Sequence, residues 1–355
     1  MRDARLSDHE GSVAASDAQE PDVLIPPGSK AVRRLRGLSG LTPGLRGLAD
    51  RYGLLIAWAI VVAVFAILEP DTFFTFANLH TILGTQAVLL ILALALLLPL
   101  TVGEFDLSVT GALSVSLVLI GYLNVQRGWP ILGAVAVSLL SGVLIGLVNT
   151  FFVMVVGVES IVVTLGTGTM WLGVGYGINA VNISGISAGL VSVTRNDLLG
   201  VPLAFWYGLL LTLALFYMYA FTPLGRYLYF VGANRQVSRL SGIPVGMIRA
   251  GALMASAIIS SLAGVVLAGV IGGAGPTIAN GYLLPAFAAV FLGATAINPG
   301  RFNPWGTFIA VFFLITGITG LELLGFTGWV ENAFYGASLV LAVALSRLAA
   351  RRRVA

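Results

Sequence analysis

Long apolar stretches alternate with short polar ones along most of the chain. Crossing a hydrocarbon core takes roughly 20 mainly apolar residues per helix. Runs of that kind fall at 53–69, 82–102, 107–124, 130–154, 160–180, 203–221, 249–271, 282–298, 305–323 and 329–347. The pattern predicts an all-α integral membrane protein with about ten transmembrane helices. Pro and Gly punctuate it at Trp129 to Ile131, Val201 to Leu203 and Asn298 to Pro304, as connections between helices require. Residues 1–48 are different. They hold much charge, PPG at Pro26 to Gly28, and no long apolar run. Too little apolar surface is present to order them, so they read as a disordered cytoplasmic tail. Nor do they form a secretory signal, which needs an apolar core close to the start. Residues 49–350 then make one transmembrane domain, and 351–355 a basic C-terminal tail.

Composition agrees with the pattern. Of the 355 residues, 58% are hydrophobic and 10% charged, against about 45–50% apolar and about 25% charged in soluble domains. A solvated surface needs more charge than this. The 44 glycines suit helices whose backbones approach closely in lipid. With no cysteine, disulfides, zinc–thiolate sites and thiol catalysis are excluded. His9 and His80 are the only histidines, too few for a histidine metal centre.

The cations flank the apolar runs instead of forming one basic face, so the net charge of +4 implies no nucleic-acid partner. Cytoplasmic loops carry the excess of Lys and Arg. An even helix count with both termini inside puts all 19 cations on the cytoplasmic side except Arg127 and Arg195. An odd count would place the basic C-terminus outside. The expectation is a multi-pass protein of the cell membrane with both ends in the cytoplasm.

On this topology Thr222 to Ile248 is the longest cytoplasmic loop between spans. Asn234 to Leu240, NRQVSRL, lacks Pro and Gly and can form about two helical turns. SGIP, Ser241 to Pro244, then stops it. Val237 and Leu240 would share one face, Arg235 and Arg239 another. Such an amphipathic helix is either an anchor on anionic lipid or a docking helix for a cytosolic partner.

Within Gly225 to Gly269, the stretch GRYLYFVGANRQVSRLSGI resembles the coupling-loop region of ribose-type (carbohydrate uptake) ABC importer permeases, of the branched-chain/monosaccharide superfamily. Their pattern there is roughly G-R-x-x-Y-A-x-G-x-N-x-x-A-A-R-L-S-G-I. Gly225, Arg226, Tyr229, Gly232, Asn234, Arg239, Leu240, Ser241, Gly242 and Ile243 match; Phe230, Val237 and Ser238 replace alanines. GEFDLSV, Gly103 to Val109, is similar to G-G-x-D-L-S-V, with Glu104 in place of the second Gly. VNTFFV and SIVVTLGTGTM are similar to N-G-x-x-V and F-I-V-T-L-G-T-M, with Thr150 for a Gly. GYLLPAFAAVFLGATAINPGRFNPWGT is similar to a fourth block, where Leu283 and Pro285 replace acids and Asn303 to Trp305 a Gly-rich turn. The resemblance covers about residues 53–347.

It implies an ATPase subunit with nucleotide-binding domains, which holds the ATP and Mg, docked on the cytoplasmic loops. It further implies an extracytoplasmic sugar-binding protein and a second permease copy, in a homo- or heterodimer. Gly232, Asn234, Arg235, Arg239, Ser241 and Gly242 would then couple to the ATPase. The residues are compatible with that. The chain has no G-x-x-x-x-G-K-[ST], and its sole lysine, Lys30, lies in the tail, so it is no ATPase by that route. The reading is a transport subunit, without cofactor or metal of its own, importing a monosaccharide or related polyol.

Ionisable residues near spans are functional candidates by default. Glu104 and Asp106 in TVGEFDLS and Glu159 in VGVESIVV are the few present. All fall at or near predicted cytoplasmic turns, where a solvated loop carboxylate is the plain alternative. Asp106 also reads as a helix-start cap. Asn149, deep in an apolar run, can bond a sugar hydroxyl or another helix, the commoner role. Trp171, Tyr176 and Asn179 suit a sugar-stacking face or an interfacial aromatic belt. Asp106, Asn149, Thr164, Trp171 and Asn179 are thus the candidates for the translocation path. The rival is an ion-coupled secondary transporter, which needs intramembrane carboxylates or broken helices. Mid-span charge is nearly absent.

Overall fold

The computed structural model describes residues 43–326 and 328–354. The predicted tail lies largely outside the described residues. Helix α1, Pro43–Leu68, begins inside the tail's expected boundary. After it come α2 (Phe76–Thr101), α3 (Val109–Gly121), α4 (Ile131–Thr150), α5 (Ser160–Ile178), the short α6 (Ala188–Arg195) and α7 (Leu203–Phe221). Two short helices follow, α8 (Pro223–Ala233) and α9 (Arg235–Leu240), then α10 (Val245–Ile271), α11 (Leu283–Gly293), α12 (Pro304–Leu323) and α13 (Trp329–Val354). Single π-helical turns, Tyr122–Gln126 and Phe151–Val156, extend α3 and α4.

The sequence of α2 explains its position. AVLLILALALLLPL has no polar face, and a helix apolar all round is a buried one. Every residue from Ala87 to Thr101 is buried, with α10, α7, α12 and α11 packed around it. Helix α3 is enclosed almost as fully, between α10, α5 and α4. Helices α1, α4, α5 and α7 keep most of their surface outward. Hydroxyls join the inner helices: Ser116 Oγ donates to Ser261 O (2.6 Å) and Ser138 Oγ to Ser116 O (3.1 Å). Such bonds hold helices together where lipid removes the hydrophobic drive for their association.

The helices run alternately between two ends. At one end Phe105 N–H donates to Ser160 Oγ, Tyr229 OH to Phe302 O, and Ile297 N–H to Arg51 O. At the other, two-residue strands β1 (Ile183–Ser184) and β4 (Gly273–Ala274) pair antiparallel, as do β2 (Asp197–Leu198) and β3 (Val201–Pro202). There His80 meets Asp197 at 2.8 Å, and Arg195 Nε donates to Val270 O. The first end carries Arg51, Arg226, Arg235, Arg249 and Arg301; the second carries Arg127 and Arg195.

Among the described residues eight helices are long and apolar enough to cross a membrane. The apolar segments Ile278–Gly293 and Trp329–Ala344 are shorter. The run predicted at 282–298 is therefore corrected: its helix stops at Gly293. The cause lies downstream. Asn303 is buried, and its Nδ2 reaches the carbonyls of Gly293 (3.3 Å), Ala296 (3.0 Å) and Arg301 (3.1 Å). Its Oδ1 accepts from Gly306 N–H (2.7 Å), capping α12. One side chain ends one helix and starts the next, across a turn where Ile297 takes φ 61°.

Two outcomes are expected. Asn303→Ala should lower unfolding stability in detergent by about 2–4 kcal/mol, a lost cap plus buried carbonyls left unpaired. Asn303→Asp keeps the cap without the donor and should melt between the two. Reporter fusions after Gln236 and after Arg353 should both read cytoplasmic, as the arginine-rich end requires; an external signal at Gln236 would invert the orientation.

Candidate functional site

Local chemistry builds the α8–α9 segment residue by residue. Thr222 Oγ1 accepts from Gly225 N–H (3.3 Å), and Pro223 occupies the first turn of α8, where its missing N–H is harmless. Near the end of α8, Gly232 lies against the last turn of α2. A Cβ there would sit 1.9 Å from Thr101 O, so no larger residue fits. Asn234 Oδ1 then accepts from Gln236 N–H and Val237 N–H, both at 3.0 Å, starting α9. Ser241 Oγ donates to Val237 O (2.9 Å), and Gly242, at φ +79°, turns the chain away. That left-handed conformation is glycine's. The helix predicted from NRQVSRL and its stop at SGIP are both present.

The faces of α9 depart from expectation. Val237 is 57% exposed and Leu240 89%, with Met247 exposed nearby, while Ser238 is buried. Arg239 is exposed and forms no ion pair among the described residues. Arg235, expected to share its face, turns inward instead. Its Nη2 donates to Glu104 Oε1 (2.6 Å), Gly103 O (3.0 Å) and Val102 O (3.3 Å).

Glu104 is not a solvated loop carboxylate. It is 2% exposed, and Arg249 Nε donates to the same Oε1. Asp106 is not solvated either: it is fully buried. Its Oδ1 accepts from Ser108 N–H (3.0 Å) and Ser108 Oγ (2.6 Å). It thus precedes the helix start, where Ser108 holds the cap position. Ser108 Oγ accepts from Asn149 Nδ2 (2.7 Å), and Asn149 Oδ1 from Thr167 Oγ1 (2.7 Å). Asn149 therefore spends its bonds between helices. Thr164 Oγ1 accepts from Leu107 N–H (3.0 Å) and faces Phe105 O and Ser160 O. Glu159, by contrast, is exposed, as its plain reading had it.

The five path candidates do not converge. Asp106, Asn149 and Thr164 meet at the arginine-rich end. Trp171 packs beside Ala112, Val115, Ile145 and Ala257, its buried Nε1 without a partner among the described residues. Asn179 lies at the opposite end, accepting from Gln126 Nε2 (3.0 Å). The pairing of Glu104 with Arg235 and Arg249 escaped sequence reasoning. Its one signal was an acid standing where the similar family has glycine. No three His, Asp or Glu among the described residues gather as a metal set. Beside α8 an open cavity of about 500 Å³ is lined by Thr101, Gly103, Arg226, Tyr229 and Arg301, among others.

Burial pushes the Asp106 carboxyl above the ordinary carboxylate range, against the lowering effect of Ser108 and Ser256. Ser256 is near enough to act on it, yet among the described residues neither Ser256 Oγ nor Asp106 Oδ2 has a hydrogen-bond partner. A pKa raised on folding gives stability that is complete below the unfolded value and lost as pH rises through the folded one. Asp106→Asn mimics the protonated form and offers Ser256 a donor. It should match the wild type at a pH below the ordinary carboxylate value of about 3.9 and exceed it in melting temperature increasingly at higher pH. Asp106→Ala should cost about 1–3 kcal/mol at either pH by stranding Ser108.

Comparison with known proteins agrees with this architecture. Residues 78–343 match the family described as branched-chain amino acid transport system, permease component. The ribose import permease protein RbsC of Escherichia coli K12 is 33% identical over 304 residues, covering 81% of this chain and 91% of that protein. The D-allose transport system permease protein AlsC of the same organism is 28% identical over 300 residues (84% and 92%). The autoinducer 2 import system permease protein LsrD of Photorhabdus laumondii is 28% identical over 317 residues (83% and 92%). No solved structure matches the chain. By the extent of these matches and its bundle of apolar helices, the chain belongs to the branched-chain amino acid transport system permease family and is a multi-pass protein of the cytoplasmic membrane.

Proposed function

We propose that this chain is the membrane-spanning permease subunit of an ABC importer, carrying a monosaccharide or related polyol into the cell on ATP hydrolysed by a separate subunit. The observation that carries the reading is α9. It presents Val237 and Leu240 outward, with Met247 of α10 exposed nearby, beside an Arg239 that forms no ion pair among the described residues; Asn234 and Gly242 fix its ends. A lipid anchor would turn its cations toward headgroups, whereas Arg235 points into the protein. A protein partner with an apolar cleft and a carboxylate fits the remaining face. Two of the three named relatives are permeases for ribose and D-allose, and the third for autoinducer 2; the first two support a sugar as cargo. An extracytoplasmic binding protein would deliver it, and a second permease copy would complete the path.

Arginine pairs bidentately with a carboxylate in a way lysine cannot reproduce. Arg239→Ala should lower ATPase copurification and ATP-driven uptake, while membrane abundance stays near wild type. Gly242→Val should do the same, because valine is strained at positive φ. Pull-down of the ATPase with each variant, beside uptake of labelled ribose in proteoliposomes, checks this. Full retention and uptake by both variants would refute docking at α9. Uptake driven by an ion gradient without any ATPase would replace the reading with an ion-coupled transporter.

A further inference from the structure

The pairing of Glu104 with two arginines has a consequence for how α9 is held. Three separate elements meet at one carboxylate oxygen: the turn after α2 through Glu104, the start of α9 through Arg235, and the base of α10 through Arg249. The oxygen is buried, and the Arg235 side chain is still 42% exposed. Arg249 alone neutralises the acid. Arg235 is thus a second cation on the same carboxylate, and it is the one that α9 brings. Arg235 also covers the carbonyls of Val102 and Gly103, in the turn that follows α2. Cations are favoured at helix C-termini.

We propose that Glu104 is a positioning residue that clamps α9 to the ends of α2 and α10, so that displacement of α9 moves those two helices together. This rests on the transport reading above, in which a partner acts on α9. Parting α9 from the turn would break three Arg235 hydrogen bonds at once, to Glu104 Oε1, Gly103 O and Val102 O, one of them charge-assisted on a buried carboxylate. The turn therefore follows α9 instead of parting from it. The same turn continues through Asp106 and Ser108 to Asn149 on α4, and through Phe105 and Leu107 to Ser160 and Thr164 on α5. Motion entering at Arg235 is thus delivered to four helices by hydrogen bonds already made. Arg235 and Arg239 divide the work: one faces the protein, the other the partner.

The chain has no cysteine, so spin labels at Gln236→Cys and Val158→Cys report only on α9 and on the turn before α5. The full-length chain in nanodiscs should give one narrow distance. Glu104→Gln and Arg235→Met should each broaden or shift it. Where Glu104→Gln fails to yield a monodisperse protein, Arg235→Met, at the exposed side of the clamp, carries the test. In complexes with the ATPase, Arg235→Met should keep the subunit bound. Permease-dependent stimulation of ATP hydrolysis should fall roughly five- to tenfold, the scale of mutational effects on coupling. Arg239→Ala should lose the subunit itself. An unchanged distance in Arg235→Met, or undiminished stimulation, overturns the clamp. Should the wild type bind no ATPase, the transport reading fails, and the distance measurement on the chain alone still decides whether the clamp exists.

Discussion

The enclosure of α2 is the constraint around which the other helices are arranged. Lipid is as apolar as leucine, so a helix gains nothing from hydrophobicity alone by moving into a bundle. What holds α2 there is contact along its whole circumference from Ala87 to Thr101. Its end then becomes a problem, because the last carbonyls of a helix have no partners within it. Water is largely kept away, and unpaired backbone groups at membrane depth cost several kcal/mol. The turn that follows answers part of it, with Val102 N–H and Glu104 N–H donating to Pro99 O and Gly103 N–H to Leu100 O. Arg235, from elsewhere in the chain, covers Val102 O and Gly103 O.

Polar chemistry is therefore concentrated at one end of the bundle, where the turn between α2 and α3 is wired to everything near it. Fully satisfied polar networks in low dielectric specify one geometry, since each alternative strands a buried group. Glu104, Ser108, Asn149, Thr164 and Thr167 all satisfy this rule. Asp106 Oδ2 and Ser256 Oγ break it. That places the local weakness of the network on α10, next to the residues that receive α9.

Features set within a few residues of one another could be read directly. Asn234 caps the two turns that follow it, and Gly242 takes the backbone conformation that only glycine adopts freely. Apolar length alone located the long spans. The same criterion overran at 282–298, since hydrophobicity does not tell a continuing helix from an apolar turn. Asn303, whose bonds reach back 10 residues to Gly293, is what ends it. The departure of Asn303 from the similar family's glycine-rich turn was visible, but its role was not.

By itself, then, the sequence determined the membrane as solvent, the places of the long apolar runs, and α9 with its stop at Gly242, because each depends on composition or on neighbours along the chain. The tertiary structure alone decided which charges meet. Glu104 lies 131 residues from Arg235 and 145 from Arg249, and no periodicity links positions so far apart. Their pairing depends on α2 and α10 ending side by side, which is a property of packing. For the same reason Arg235 and Arg239, equivalent by helical spacing, serve opposite sides of α9: which face is buried is set by what the helix rests on.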